Sequence, residues 1–507
     1  MRIGIELGAT DCCIARIDSD LHPSLVPDQN DAEAFHTPSV VHVFANGAVV
    51  GTLAEQLLEC DPGAPAVRGV SQRWGETEPV QTDENGDKWY AEGIAALLLK
   101  KLRIDVESQD SSSMEGAVIA VPAGLGDSQR QAALSACALA DIPVYGLIEE
   151  PVATALHYGV AAGAGRETVL IWDLGGSSVD VTLLASDASG LRPLRTGGLR
   201  DKGGRKIDEH IGAIILAQFQ RALGSPLVKG ARSQIELQRA SAEIKHELFA
   251  PDCSAVRRPV MLGGVVVEVE VALSEVLPVL KGLLDEVAAS SEQCLKDAGV
   301  AKKDLAKVLL AGGTALVPAV QARAREIFPD AQVLCREPDR AVACGAALHA
   351  AQLGPGASVM ALSSELKGLT GYAVGIRTLD AATERTGVDT LIKKNMLLPA
   401  RAQKTYYTTR RRQERLVLDC VQVSESGEAT ASLGHVVVGP LQAERSNHPI
   451  EVTAVYREDG TVKLVAYDGQ TGAEFEEVFG GDRQGVTQRL ATQRVLVRGI
   501  VVNGVIA

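Results

Sequence analysis

The chain has 507 residues and a formal net charge of −14 at pH 7, with 46% hydrophobic and 22% charged residues. A chain of this length exceeds one hydrophobic core, so we expect about two to four globular domains. The acidic balance argues against nucleic acid or an anionic membrane as the main partner. No apolar run reaches the roughly 18 residues of a membrane span, no signal peptide precedes the first strand, and the nine scattered cysteines form no C-x-x-C pair. These features predict a cytoplasmic protein.

A glycine-rich turn that follows a hydrophobic strand occurs twice, at residues 3–11 and 170–180. Each copy places an acid, Glu6 or Asp173, at the end of the apolar run, followed by Leu-Gly and small residues. Glycine lets backbone N–H groups approach a bound anion, and the acid can reach a divalent cation through its waters. Two such turns facing each other would hold a polyphosphate and its Mg²⁺ between two lobes. Two ordinary glycine hairpins are the alternative.

In chain order, residues up to about 185 alternate strands and helices, which is typical of a parallel α/β layer. A buried strand at 117–121 stops at Pro122, because proline cannot continue a central ladder. The other elements predicted here are a hairpin at 40–50, helices at 93–102 and 127–140, and a loop at 107–113.

The next part is predicted to be helical over 207–249, with a loop near 224–226. A half-exposed strand follows at 265–271, and Ser274 is the predicted cap of the next helix. A buried strand at 307–310 ends in a third glycine turn, 311–314, and Pro338 opens the last helix of this half.

The Gly-Pro-Gly at 354–356 marks a domain boundary, and the helical signals end beyond about residue 370. Alternating segments at 416–423, 451–456 and 461–467, with a tight hairpin at 458–460, predict a β-sandwich. The final stretch, 488–507, is interpreted as a strand pair with no helical tail. The predicted division is therefore a first domain at 1–355, a linker at 356–370 and a β domain at 371–507.

From residue 2 to about 480, the ordered motifs resemble the heat shock protein 70 chaperones. The segments that carry the resemblance are 4–10, 120–123 with 129–132, 150–159, 173–180, 202–208, 311–314 with 337–339, and 391–395 with 465–468. The resemblance implies an α/β fold: an actin-like two-lobed ATPase domain, a duplicated ribonuclease-H-like fold, followed by an all-β sandwich that binds peptides. It also implies ATP/ADP and Mg²⁺ as cofactors.

The same resemblance implies a role for individual residues. Glu6 and Asp173 would organise the Mg²⁺ shell, Thr10 and Ser178 would place hydroxyls near the γ-phosphate, and Glu150 with Asp180 would position the attacking water. Arg68 would take the place of the catalytic lysine, and Pro122 would serve as a hinge. The residues expected to line the phosphates, ribose or base are Gly8, Ala9, Thr10, Gly175, Gly176, Ser177, Gly203, Gly204, Lys245, Gly312, Gly313 and Asp339.

Several residues depart from the family pattern. Glu6 is one methylene longer than the usual aspartate, which disturbs a tightly octahedral Mg²⁺. Arg68 keeps the charge of a lysine but changes the donor geometry, so hydrolysis is expected to be slow. His246 and Leu316 stand where the family stacks arginines on the base, which predicts weak binding of adenine.

Coupling between the domains is also altered. The linker leucines are reduced to residues 359–362 and Leu366, and Gly146 and Glu149 replace two residues that J-domain co-chaperones engage. The chain stops at Ala507, so we expect no helical lid and fast exchange of bound peptide. The expected partners are unfolded or extended client polypeptides, with weakened J-domain and nucleotide-exchange partners.

Two functional hypotheses follow. The first is an ATP-dependent chaperone-like protein with slow ATP hydrolysis coupled to binding of extended hydrophobic segments. The alternative is a divergent nucleotide-binding scaffold with little or no ATPase activity. A sugar or glycerol kinase on the same core is the weakest interpretation, because no second-substrate site is visible.

Overall fold

The computed structural model describes the chain apart from residues 19, 21, 30, 110–113, 161–166, 189, 226–229, 251, 354–369, 371, 380–385, 395, 397–398, 424–427, 442–446, 458–460, 480–482 and 504–507. The predicted boundary at 354–356, the linker up to residue 369 and the tip of the hairpin at 458–460 therefore lie outside the described residues.

The first lobe is built on a sheet with the strand order β11-β10-β1-β2-β3, and β4 also pairs with β2. The strands of the first lobe, in this sheet and in two smaller ones, are β1 Arg2–Leu7, β2 Asp11–Ile17, β3 Pro23–Leu25, β4 Thr37–Pro38, β5 Val40–Phe44, β6 Gly47–Val50, β7 Val67–Arg68, β8 Gln81–Thr82, β9 Lys88–Trp89, β10 Gly116–Val121 and β11 Val144–Glu149. Its helices are α1 Thr52–Cys60, α2 Ala91–Gln109 and α3 Asp127–Leu139.

The second lobe follows α4, Glu150–His157, and is built on a sheet with the order β14-β13-β12-β17-β18. Its strands are β12 Glu167–Leu174, β13 Ser178–Asp187, β14 Gly190–Arg200, β15 Ala255–Leu262, β16 Val265–Ala272, β17 Lys307–Ala311 and β18 Gln332–Leu334. Its helices are α5 Gly204–Leu223, α6 Ala231–Leu248, α7 Leu273–Ala298, α8 Pro318–Ile327 and α9 Ala341–Leu353.

The two sheets repeat one topology. In each, three consecutive strands form an antiparallel meander, and the first of them pairs in parallel with a strand from much later in the chain. The two glycine turns connect equivalent strands, β1 to β2 and β12 to β13. This repetition confirms the duplicated two-lobed fold expected from the sequence.

Two helices, α4 and α9, fill the space between the sheets and join the lobes. Backbone packs directly on backbone at two glycines: a Cβ at Gly4 would lie 2.1 Å from the nitrogen of Ala347, and one at Gly345 would lie 1.8 Å from the oxygen of Ala153. Such distances exclude any larger residue without movement of the backbone. The surrounding core draws on both sheets and both helices, including Val118, Ile171, Val152 and Val342.

The β domain is a sandwich of two four-stranded sheets, ordered β20-β19-β22-β23 and β21-β24-β25-β26. Its strands are β19 Ala373–Leu379, β20 Thr386–Ile392, β21 Ala400–Tyr407, β22 Leu416–Val423, β23 Ala429–Val438, β24 Pro449–Tyr456, β25 Val462–Asp468 and β26 Ala473–Phe479. Alternate residues of both sheets meet in one core, as in β24, where Ile450, Val452 and Ala454 are buried. The predicted sandwich is confirmed.

Three local predictions differ from the structure. Helix α2 continues through Gln109, so the predicted loop at 107 begins too early. Helix α7 begins after Ala272, whose N–H donates to the Glu275 carboxylate at 2.9 Å, so Glu275 and not Ser274 caps this helix. Helix α9 begins at Ala341, after Pro338.

The interpretation of the last segment as a strand pair is wrong. Residues Arg483–Gly499 form a helix, α10, and only Val501–Val502 form a strand, β27. The helix packs on α2 and α3 of the first lobe, and β27 pairs in parallel with β6. Val497, Ile500 and Val502 are buried in the core of the first lobe. The C-terminal segment therefore completes a lobe that begins at residue 1.

Polar contacts fix α10 in place. The Arg489 guanidinium pairs with the buried Glu92 carboxylate at 2.7 Å, and the buried Lys100 ammonium donates to the Val497 carbonyl at 2.9 Å. Gln493 is fully buried: its side-chain oxygen accepts from the N–H of Tyr90, and its amide donates to the carbonyl of Lys88. Buried polar groups of the first lobe thus have their partners on α10, so the helix is an integral part of the lobe.

Replacing Gln493 with alanine should destabilise the protein, because the N–H of Tyr90 and the carbonyl of Lys88 lose their partners in a buried place. Each unsatisfied group costs about 1–3 kcal/mol. Urea unfolding of Gln493→Ala measures the loss, with Val495→Ala as the matched control, since Val495 on the same helix is 73% exposed. Equal unfolding of the two variants would show that α10 is not docked in solution.

Candidate functional site

A cleft of about 580 Å³ lies between the two lobes, and both glycine turns line it. The third glycine turn, at Gly312 and Gly313, and the segment after β10 that begins with Pro122 complete its walls. Strand order explains this convergence, since β1, β10, β12 and β17 all end at the cleft.

The acids of the cleft come from equivalent positions in the two lobes. Glu6 is near the end of β1, and Asp173 is near the end of β12, each immediately before Leu-Gly. Asp180 on β13 lies directly opposite Asp173 in the strand register, an arrangement of like charges that is unfavourable without a cation. Glu150 enters the cleft as the first residue of α4.

Burial and mutual repulsion raise the pKa values of these acids. Burial and then the charge of Asp173 raise the pKa of Glu6 to about 8, and burial and then Asp180 raise the pKa of Asp173 to about 7. Burial, then Asp173 and Glu6, raise the pKa of Glu150 well above its usual range. Carboxylates that lie close together in a partly enclosed cleft and repel one another favour a bound divalent cation.

The donor set fits Mg²⁺, which prefers carboxylate oxygens and keeps several of its waters. Within the described part of the chain, no group of three or more acids, histidines or cysteines is close enough to ligate a metal directly. Glu6 and Asp173 are the residues that would hold the ion.

The two glycine turns touch each other across the cleft. A Cβ at Gly176 would lie 2.4 Å from the Thr10 hydroxyl, and the Gln72 amide donates to the Ser177 hydroxyl at 3.0 Å. Gly203 and Gly204 support the second turn from behind, where the N–H of Gly204 donates to the Gly175 carbonyl at 3.1 Å.

Most of the residues predicted for the site lie together. The predicted residues that line the cleft are Glu6, Gly8, Ala9, Thr10, Glu150, Asp173, Gly175, Gly176, Ser177, Ser178, Asp180, Gly312, Gly313 and Asp339. Lys245 lies beside Gly204, where its ammonium pairs with Asp208 at 2.8 Å.

Arg68 is not brought into the cleft. Its guanidinium is half-exposed on β7 and pairs with Glu55 at 3.1 Å. Gly69, with a φ of 60°, turns the chain into a short 3₁₀ helix, and this turn brings Ser71 and Gln72 to the cleft instead. The residue expected to be the catalytic cation, Arg68, therefore lies outside the cleft. The uncharged side-chain amide of Gln72 lies at the cleft instead.

Sequence reasoning missed Gln72, His36, Arg200 and Asp201, which also line the cleft. The His36 ring contacts the carbonyl of Asp339 at 3.1 Å. A signal for Arg200 was available, because it ends the strand beside the second glycine turn. No comparable pattern marks Gln72, whose position depends on the turn at Gly69.

The paired thiols beside the first turn are unsuited to sensing oxidants. Cys12 and Cys13 are buried, and burial raises the pKa of Cys12 to about 12. Because the thiolate is the reactive form, both are structural.

At the expected position of the base, Leu316 is 52% exposed, and Glu243 forms ion pairs with Arg239 and Arg258. Arg239 also pairs with Glu59 of α1, so α6 of the second lobe contacts the first lobe above the cleft. This contact is a second connection between the lobes, in addition to α4 and α9.

A duplicated sheet topology, two facing glycine turns and a carboxylate-lined cleft define an actin-like, two-lobed nucleotide-binding domain, here joined to a β-sandwich. Residues 66–490 match the family model of the Hsp70 protein, and the chain belongs to this family. Members of the family are ATP-dependent chaperones that bind Mg²⁺-nucleotide, unfolded polypeptides and co-chaperones.

Two relatives show how similar the chain is to known chaperones. It is 29% identical over 494 residues to the chaperone protein DnaK of Thermosipho melanesiensis, covering 94% of this chain and 80% of the relative. It is also 29% identical to the chaperone protein DnaK of Thermosipho africanus, covering 95% and 80%. Among the described residues, no helix has both the length and the apolar character that a membrane span requires.

The raised pKa of Asp173 predicts how stability depends on pH. Its pKa is about 7 in the folded chain and about 4 when unfolded, so the folded state holds more protons between these values. The free energy of unfolding should therefore fall as the pH rises from about 4 to 7. Asp173→Asn removes this penalty and should raise the unfolding temperature at pH 8, in the absence of Mg²⁺ and nucleotide, with a smaller gain at pH 5.

Thermal unfolding at the two pH values measures this effect, with the exposed Asp304→Asn as the control. The same Asp173→Asn variant should lose Mg²⁺-dependent nucleotide binding. An unfolding temperature at pH 8 below that of the unsubstituted protein would contradict the expected repulsion.

Proposed function

We propose that this protein binds ATP with Mg²⁺ in the cleft, hydrolyses it slowly and couples this cycle to the binding of extended hydrophobic segments of client proteins in the cytoplasm. The convergence of two glycine turns on the partly buried acids Glu6, Glu150 and Asp173 carries the proposal. Such a site neutralises and positions a triphosphate, and phosphoryl transfer to water depends mainly on positioning and charge.

Each residue has a distinct part in this chemistry. The Thr10 and Ser178 hydroxyls and the backbone N–H groups of the turns bind the phosphates. The bound Mg²⁺ supplies charge neutralisation of the phosphate oxygens. Glu150 orients the attacking water and accepts its hydrogen bond, with Asp180 beside it.

Slow turnover is expected because the cation that the family pattern predicts, Arg68, does not lie in the cleft. Arg68 is paired with Glu55 on the surface, and the amide of Gln72 contributes no charge. Glu6, with its longer side chain, holds the magnesium shell less rigidly than an aspartate would. Transition-state charge is therefore less well stabilised.

Contacts between the sandwich and the cleft support the coupling. A Cβ at Gly126, near the segment after β10, would lie 3.2 Å from the Tyr372 ring. The positive charge of Lys394, in the turn that follows β20, opposes the rise that burial causes in the pKa of Asp180. Pro122 lines the cleft at the start of the segment that leads from β10 to Gly126, which suits the proposed hinge.

The sandwich offers an apolar surface for a client segment. Val417 on β22 and Val437 on β23 are partners in the strand register, and both are exposed, 52% and 44%. Leu379, at the end of the neighbouring strand β19, is also exposed. An extended peptide with hydrophobic side chains would bury this apolar row.

The proposed J-domain contact is weak for a structural reason. Glu149 is 7% exposed, and its carboxylate pairs with Arg130 at 3.0 Å. It is therefore not presented to a partner at this surface.

A nucleotide-binding scaffold without turnover is the second candidate, favoured by the surface position of Arg68. Hydrolysis of ATP by the unsubstituted protein and by Glu150→Ala separates the two. We expect Mg²⁺-dependent turnover that falls about 100-fold in Glu150→Ala, since general-base groups contribute about 10²–10⁴-fold. Glu209→Ala, an exposed acid on α5, is the matched control and should keep the full rate. Equal background rates in all three proteins would favour the scaffold.

Client binding is tested in the sandwich. Val437→Asp places a charge in the apolar row and should weaken binding of a fluorescent, extended hydrophobic peptide at least tenfold by anisotropy. Val478→Asp, an exposed valine of the opposite sheet, should leave the affinity unchanged. Equal affinities for both variants would place the peptide elsewhere.

A further inference from the structure

Carboxylates dominate the walls of the nucleotide cleft. Its acids are Glu6, Asp11, Glu150, Asp173, Asp180, Asp201 and Asp339, whereas among the described lining residues only Arg200 and His36 are basic. A triphosphate with one Mg²⁺ still carries net negative charge, so this cleft needs a cation that can reach the terminal phosphate.

Arg200 stands at the second phosphate turn. It is the last residue of β14 and the register partner of Ser178, the first residue of β13 after Gly175 and Gly176. Residues opposite each other on antiparallel strands have Cβ atoms about 5 Å apart. The side chain of Arg200 therefore starts next to that of Ser178, whose hydroxyl is expected at the γ-phosphate.

The side chain of Arg200 is exposed in the cleft and lies within no ion-pair distance of a described carboxylate. Two other arginines of this lobe are in ion pairs: Arg192 pairs with Asp187, and Arg258 pairs with Glu243 and Glu247. The charge of Arg200 nevertheless reaches the acids beside it, because it lowers the pKa values of Glu150 and Asp180 against the effect of burial. It is thus a cation near the reacting end of the cleft with its donors available.

The chemistry of the side chain suits a phosphate. A guanidinium stays charged at all relevant pH values and presents parallel N–H donors that match two phosphate oxygens. Arg68, the cation expected from the family pattern, is held on the surface by Glu55.

We propose that Arg200 binds the terminal phosphate of ATP and gives the cleft its preference for ATP over ADP. This inference rests on the proposed binding of Mg²⁺-nucleotide. Because ADP lacks the terminal phosphate, the contribution of Arg200 is confined to ATP.

The test is calorimetric titration of the full chain with ATP and with ADP, both in excess Mg²⁺. Arg200→Gln should weaken ATP binding about 10- to 100-fold, the range of a hydrogen bond to a charged group, and should change ADP binding less than threefold. Arg200→Lys keeps the charge but loses the paired donors. Its ATP affinity should therefore lie between that of the unsubstituted protein and that of Arg200→Gln. Arg192→Gln, at the far end of the same strand, is the matched control and should leave both affinities unchanged.

Equal weakening of ATP and ADP by Arg200→Gln would overturn the inference, because it would mean that Arg200 acts only on the general charge of the cleft. Unchanged ATP binding by Arg200→Gln would overturn it as well. Absence of ATP and ADP binding by the unsubstituted protein would instead reject the proposed function itself, and this inference with it. Unfolding temperatures within a degree or so of one another would show that the variants are folded.

Discussion

The direct packing of α9 on the backbone of β1 and α4 is the constraint on which the rest of the molecule depends. Gly4 and Gly345 permit it, since any side chain there would overlap the backbone of Ala347 or Ala153. Gly4 lies two residues before Glu6 on β1, and Ala153 lies one helical turn after Glu150 on α4. The contact that joins the two lobes therefore also sets the separation of the acids in the cleft, and through it the reach of the two phosphate turns.

The acidic residues of the cleft destabilise the folded chain, but they suit the binding of a cation and its charged ligand. Glu6, Glu150 and Asp173 are partly buried, repel one another and have raised pKa values, an arrangement that destabilises the fold. A bound magnesium–nucleotide complex would relieve this repulsion, and Arg200 adds a positive charge at one end. Arg68 lies outside the cleft and Gln72 is uncharged, so the proposed site would bind phosphate but accelerate its transfer less.

The C-terminal segment changes how the two domains are connected. The sandwich follows α9 in the chain and is itself followed by α10 and β27, which are built into the core and a sheet of the first lobe. The sandwich is thus held to the nucleotide-binding domain on both sides. Any movement of the sandwich that accompanies the nucleotide cycle has to be compatible with both connections, with the contact of Tyr372 at Gly126, and with the position of Lys394 near Asp180.

The sequence by itself determined the duplicated glycine turns, the buried strands that lead to them, the acids at the strand ends and the alternating pattern of the sandwich, because these depend on local backbone chemistry and on short periodicities. Tertiary structure decided the rest. Val495, Leu496 and Val497 are consecutive and suggest a strand. The docked face of α10, however, includes the polar Gln493. Its burial is favourable only because the backbone carbonyl of Lys88 and the N–H of Tyr90 form hydrogen bonds with it. In the same way, the left-handed turn at Gly69 decides that Gln72 and not Arg68 faces the cleft, and strand register decides that Arg200 stands beside Ser178. Such positions depend on partners distant in the chain, and a local pattern does not contain them.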